Sequence, residues 1–276
     1  MSLKEDLKKL ETTLQHSNLD NLIERMLINI GSIDSELRDN LIYHSFGKLI
    51  FEDYLTIKQM THIFEFCLRD LFLDIGQKDN DSVFTRSFSA LVIVLVLKKD
   101  GEMRFLSDEF LKRSIEDSIN YLKLEEDIRG YVVGKGWAHS IAHGADLLTE
   151  AIRHPNFNRE LSSECLETIK LCLFKNSTIN LPFVDEEEER LIFAVEVLQE
   201  KGVTDSEILN WIFKISEELN DLLEKEGWTL NFCWKKSNVI NFMRGYYFRL
   251  RYKNDCYELR ENIATLLENW HKQMYN

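Results

Sequence analysis

An all-α fold follows from three observations. Apolar residues recur with helical spacing along most of the chain. Only 2 prolines and 11 glycines interrupt 276 residues, too few breakers for a turn-rich β architecture. Capping residues also stand where the periodic segments begin. In order, the pattern predicts helices over about 2–16, 19–30, 34–51, 56–75, 81–99, 107–124, 135–153, 161–175, 185–200, 204–226, 237–252 and 255–274. Asp81 and Ser107 are placed to cap first turns. Asp185 with Glu188, and Thr204 with Glu207, have capping-box spacing. Pro155 stops the 135–153 helix, because the residue before a proline is driven out of the α region.

The segment over 81–99 is apolar all round. Phe84, Phe88, Leu91 and Leu95 line one side, with Ala90, Ile93 and Leu97 opposite, which predicts a central buried helix. Its longest apolar run, Ala90 to Leu97, is far short of the ~20 residues of a membrane span. A repeat runs alongside. Leu106-Ser-Asp-Glu-Phe-Leu111 returns 55 residues on as Leu161-Ser-Ser-Glu-Cys-Leu166, with an earlier copy at Leu55-Thr-Ile-Lys-Gln-Met60. The same shift lays Ala90 on Ala145, and Phe84 and Phe88 on His139 and His143. The expectation is a single all-helical domain over 1–276. It would be an array of antiparallel helix pairs, a HEAT-like α-solenoid or toroid, with segment 125–150 at its centre.

A chain that is 44% hydrophobic and 29% charged can bury a substantial core in water. The net charge of −13 opposes the phosphate backbone of nucleic acid and anionic membrane surfaces, so neither is expected as a partner. The Lys/Arg-rich stretch 235–253 is the local exception. Five cysteines, at 67, 165, 172, 233 and 256, include no Cys-x-x-Cys pair and read as reduced, mostly buried thiols. Met1-Ser-Leu-Lys-Glu-Asp-Leu-Lys-Lys9 lacks the apolar core of a signal peptide, so a cytoplasmic location is expected.

One stretch stands apart from this helical background. Arg129-Gly-Tyr-Val-Val-Gly-Lys-Gly-Trp-Ala-His-Ser-Ile-Ala-His-Gly-Ala-Asp146 gathers four glycines, two histidines, a lysine, a tryptophan and an aspartate. Glycines are costly in helices, so four together imply a shaped backbone. His139 and His143 have the i, i+4 spacing of zinc-binding imidazoles, and Asp146 offers a carboxylate. The zincin pattern fails, because Ser140 stands where its glutamate base belongs. A different divalent-metal site, or general-base chemistry by a His–Asp pair, remains open, but no cofactor is favoured. The plain alternative is a hydrogen-bonded polar helix face.

Gly130-Tyr-Val-Val-Gly134-Lys135-Gly136 also fails as a phosphate loop, having three residues between its first two glycines and glycine after the lysine. What survives is a glycine-rich turn entering a helix, with Lys135 and Arg129 nearby, which suits an anion. A tight interhelix turn anchored by Trp137 explains the same residues. Arg86, on the apolar helix, needs a partner such as Asp146 or Asp127. Glu186 to Arg190 reads as a solvated first turn. The aromatics Trp228, Phe232, Trp234, Phe242, Tyr246, Tyr247 and Phe248 read as core of the last helices.

The run Glu125-Glu-Asp-Ile-Arg-Gly-Tyr131 and then Gly134-Lys-Gly-Trp-Ala-His-Ser-Ile-Ala-His-Gly-Ala-Asp-Leu-Leu148 resembles the uncharacterised bacterial family known as domain of unknown function 2785. Arg86-Ser-Phe-Ser-Ala-Leu91 and Glu188-Glu-Arg-Leu191 are similar to it as well. The resemblance implies an all-helical cytosolic bacterial protein and supplies no activity.

The expected function is therefore a binding module for an anionic small molecule or an acidic protein segment. Arg86, Arg129 and Lys135 would give charge, Tyr131 and Trp137 walls, and His139, His143 and Asp146 orientation. Its rivals are a metal- or histidine-dependent hydrolase acting through His139, His143 and Asp146, and a protein–protein scaffold with no small ligand.

Overall fold

The computed structural model describes residues 2–16, 18–176, 181–253 and 256–275. Among them are thirteen α-helices, one π-helical segment, one short 3-10 turn and a single two-stranded hairpin. The protein is all-α. No helix among the described residues is long and apolar enough to cross a membrane. The chain divides into two compact units, Met1–Phe157 and Asn158–Asn276.

The first unit runs α1 (Leu3–Lys8), α2 (Leu10–His16), α3 (Leu19–Ile28), a π-helical segment (Glu36–Tyr43), α4 (His44–Phe51), α5 (Ile57–Asp70), α6 (Ser82–Met103) and α7 (Asp108–Leu124). The strands β1 (Tyr131–Val132) and β2 (Gly136–Trp137) and then α8 (Ser140–Arg153) complete it. Helix α6 is its axis, packed against α4, α5 and α8. Every residue from Phe88 to Leu97 is buried, as an all-round apolar helix requires. Gly31 brings the turn after α3 onto this axis. A Cβ there would lie 2.8 Å from the Thr85 amide nitrogen.

Caps fix most boundaries. Ser107 Oγ accepts from Phe110 N, and Thr56 forms a capping box with Gln59. The far ends of α6 and α8 meet at a buried joint. Asp100 accepts from the Phe105 and Leu106 amides at 2.7 and 2.6 Å, stopping α6. Its other oxygen faces His154 Nε2 at 3.1 Å. Because His154 Nδ1 accepts from Asn156 N, Nε2 carries the proton and donates to Asp100. Pro155 thus stops α8 where expected, and His154 ties that end to α6.

Five expected helices differ. That over 56–75 ends at Asp70, and that over 237–252 begins at Leu230. The one over 2–16 breaks at Lys9 into α1 and α2. The first half of 34–51 is wound as a π-helix. The 135–153 helix begins only at Ser140, because residues 131–137 form the hairpin.

The second unit opens with the 3-10 turn Arg159–Leu161. It continues with α9 (Ser162–Leu173), α10 (Glu187–Glu200), α11 (Asp205–Glu226), α12 (Leu230–Lys253) and α13 (Tyr257–Tyr275). Thr204 and Glu207 make the expected capping box on α11. Asp185 and Glu188 do not; the residue before α10 is Glu186, at φ 65°. Phe232, Phe242 and Tyr246 fill the core with Trp211 and Trp270, whereas Trp228 and Phe248 are exposed. Glu196 anchors the end of α12 through Arg249, at 2.9 and 2.6 Å, and Lys253. Of the cysteines, 67, 165 and 172 are buried and outside any disulfide. Burial pushes Cys172 up to about 11, far from a reactive thiolate.

Glu187 carries a pH signature. Burial raises its carboxyl from 4.5 to about 7, although the Asp185 amide donates to it. A carboxyl that prefers its proton in the folded state stabilises most below pH 4.5. That contribution fades as pH rises toward 7. Glu187→Gln should therefore match the parent protein at pH 4 and exceed it at pH 8 by about 1–3 kcal/mol. Urea midpoints at the two pH values check this, and an equal gain at both would refute it.

Candidate functional site

The glycine-rich motif folds as a hairpin leading into α8. Lys135 N donates to Val132 O at 3.0 Å, closing a β-turn whose third residue, Gly134, sits at φ 79°. Gly136 follows at φ 82°, where a Cβ would come within 2.6 Å of Ser35 Cβ. The ladder pairs Tyr131 with Trp137 and Val132 with Gly136. It extends through Ala138 N to Gly130 O and His139 N to Arg129 O. His139 then turns left-handed at φ 47°, and its carbonyl accepts the first helical bond from His143 N at 2.8 Å. His139 therefore precedes the helix, while His143, Asp146 and Glu150 stand on it.

Every predicted cation in this region has a carboxylate partner. Arg86 is fully buried and grips Glu125 with two bonds of 2.6 and 2.8 Å. Its third nitrogen donates to Ser82 Oγ and Leu73 O. Burial works against the Arg86 charge, but Glu125 outweighs it and holds the pKa above its ordinary value. The expected partners were Asp146 or Asp127. Glu125 takes that place because α7 ends there, directly against α6.

Arg129 grips Asp127 at 2.8 and 2.6 Å and donates to Asn80 O. Lys135 Nζ sits between the Asp81 oxygens at 2.7 and 2.8 Å. Asp81 precedes α6 as expected but makes no capping bond there. Beneath this layer, Tyr121 Oη donates to Ser140 O, and Ser140 Oγ donates to Asp127 O.

Sequence reasoning missed the residue that clamps the hairpin. Arg38, from the π-helical segment, is fully buried. It donates to Lys135 O at 2.9 Å, Trp137 O at 3.3 Å and Ser32 O at 2.6 Å. Its guanidinium lies over the Phe84 and Phe88 rings at 4.3 and 4.7 Å. Asp39 pairs with its Nε at 2.7 Å. Burial lowers the Arg38 pKa and raises that of Asp39, each only partly offset by the other. No motif marks Arg38, which lies almost a hundred residues from the carbonyls it holds.

The result is a continuous series of rings. Tyr131 meets Trp137 edge-on at 5.0 Å, Trp137 stacks on His139 at 4.5 Å, and His139 meets His143 at 5.6 Å. Phe88 and Tyr43 continue it inward at 5.2 and 6.5 Å. Tyr131 and Trp137 are 55% and 39% exposed, so the outer end is open to solvent. Tyr131, Trp137, His139 and His143 thus form one series of touching rings, with Lys135 in the same hairpin turned to Asp81. Asp146 lies one turn further along α8. Arg86 and Arg129 lie behind, in the layer that supports the hairpin.

A family model described as a protein of unknown function (DUF2785) matches residues 71–248. That is well over half of the chain. The protein belongs to this family. No match was found among curated proteins or among solved structures. The DUF2785 match takes in the hairpin, α8 and the ion pairs Arg86–Glu125 and Arg129–Asp127. Arg38 lies outside it, so the hairpin of this DUF2785 protein is clamped by a residue from the segment that precedes the family region.

Proposed function

We propose that this protein is a cytoplasmic binding module of HEAT-like helix pairs. Its recognition surface is the hairpin with the start of α8, and its ligand is a small anionic molecule bearing a flat ring. The observation that carries this reading is the ring series Tyr131–Trp137–His139–His143, fixed on a hairpin that Arg38 and two buried or partly buried ion pairs brace from behind. Such support is the mark of a preorganised site. The face of Trp137 left open by His139, together with the exposed Tyr131 ring, receives the ring of the ligand. His139, His143 and Asp146 orient its polar edge. Lys135, the most exposed of the three cations, meets the anionic group, while Arg86 and Arg129 hold the frame.

Benzoate, nicotinate and adenosine monophosphate are suitable calorimetric probes. At least one should bind, and Trp137→Ala should weaken it about tenfold or more, from loss of stacking. Trp228→Ala, at another exposed indole, should leave binding unchanged. Silence from all three probes, or binding that survives Trp137→Ala, would sink the reading. An acidic peptide that binds with the same Trp137 dependence would point to a protein segment as the natural ligand.

A second reading rests on the 5.6 Å spacing of the His139 and His143 rings. With Zn–N bonds near 2.1 Å, two imidazoles so placed can reach one ion for a hydrolytic centre, whereas Asp146, a turn further along α8, would have to move to add an oxygen. Zinc titration of the whole protein should then show a site tighter than about 10 μM that His143→Ala removes. Weaker or unaltered binding would eliminate it.

A further inference from the structure

The second unit holds a cleft of about 230 Å³ between α9 and α11, lined by Ser162, Leu166, Val203, Asn210, Trp211 and Lys214, among others. Two of these residues are more than nine-tenths buried, Trp211 at 3% exposure and Ser162 at 7%. Neither the Trp211 indole Nε1 nor the Ser162 hydroxyl hydrogen-bonds any described residue. An indole N–H can only donate, and buried donors are almost always satisfied. Finding two such groups at one cleft is a specific sign of a missing acceptor.

The surroundings define that acceptor. Lys214, one turn along α11 from Trp211, is exposed and forms no ion pair with any described residue. The two acids of the cleft already have partners, although Lys170 is shared between Glu167 and Glu218. Glu167 pairs with Lys170 at 2.9 Å. Glu207 accepts from Thr204 at 2.7 and 2.8 Å and faces Arg159 at 3.4 Å. Leu166, Val203 and the face of Trp211 supply an apolar wall. Two unsatisfied donors, one cation and aliphatic side chains around a small volume together describe a short amphiphilic anion.

We propose that this cleft binds a short-chain aliphatic monocarboxylate. Its carboxylate accepts from Trp211 Nε1–H and Ser162 Oγ–H beside the Lys214 ammonium, and its chain lies against Leu166 and Val203. Solvent does not reach the two donors in the unliganded cleft, so binding requires the side chains at its mouth to move aside, with the exposed Lys214 swinging onto the carboxylate. The site is independent of the hairpin surface and of the ligand proposed for it.

The test is a butyrate titration of the full chain at constant ionic strength, followed through the five indole N–H resonances, with Trp211 identified by its loss in Trp211→Phe. The Trp211 signal should shift and saturate with a Kd of about 0.1–10 mM, as befits so few atoms. Neutral butyramide should not reproduce the shift. Ser162→Ala and Lys214→Met should each weaken butyrate about tenfold. Ser162→Ala should also keep the parent's unfolding midpoint, because the hydroxyl has no protein partner to lose. A Trp211 signal that ignores butyrate, an equal response to butyramide, or unchanged affinity in both variants would overturn the proposal. Trp137→Ala should leave this titration untouched, which separates failure here from failure at the hairpin.

Discussion

Replacing Arg86 with methionine is expected to destabilise the first unit by about 3–5 kcal/mol, because it strands a buried carboxylate. Glu125 has no exposed surface, and both its oxygens face Arg86. Without the guanidinium, Glu125 must ionise unpaired or take up a proton. Leu73 O and Ser82 Oγ lose a donor as well. The paired change Arg86→Met with Glu125→Leu should recover much of the loss, since two apolar groups of similar volume leave no orphaned charge. Because the chain has two compact units, the measurement must be local. Hydrogen exchange of the α6 and α8 amides reports it, and near-native protection in the single variant would refute the expectation.

Arg38→Met should have the second-largest effect, concentrated on the hairpin. It removes the donor to Lys135 O and Trp137 O, the cation between Phe84 and Phe88, and the partner of half-buried Asp39. A loss of about 3 kcal/mol follows from the orphaned acceptors and the uncompensated carboxylate. Its signature differs from that of Arg86→Met. Exchange should rise at residues 131–137 far more than in α6, and the Trp137–His139 stacking shift in the imidazole resonances should collapse. Uniform loosening of the whole unit would show instead that Arg38 serves the core and not the hairpin. Arg38→Lys should restore little, because an ammonium lacks the planar fork that reaches three carbonyls while lying over two rings.

Much of the helical framework was legible from the sequence. The boundary at Ser107 and the box at Thr204 and Glu207 are local devices, set by residues within one turn, and they stand as read. So does the buried α6, whose lack of a polar face leaves it nowhere but the interior. Expectations failed where a distant residue intervened. Asp81 has a capping residue's place, but its carboxylate lies with Lys135 instead. The helix expected from 135 yields its first turn to a hairpin. Gly134 and Gly136 favour positive φ, and Arg38 holds the resulting carbonyls from across the unit. Aromatic composition points Trp228 and Phe248 to the core, but it does not show which way a helix face turns, and both are exposed.

The amino-acid order alone determined the all-α class, the α6 axis, the end of α8 at Pro155 and the concentration of chemistry-bearing residues between 129 and 146. Each of these depends on interactions a few residues long, which periodicity and caps encode directly. Which carboxylate each cation takes, which rings stack, and that Arg38 and the Ser162–Trp211 cleft matter at all were decided by the tertiary fold. The ring contacts are local in sequence but exist only because the hairpin replaces the helix expected there. Arg86 with Glu125, Lys135 with Asp81 and Arg38 with the hairpin join residues tens of positions apart. A partner's identity at such range is fixed only when packed helices bring two surfaces together and force every buried charge to find its counter-charge.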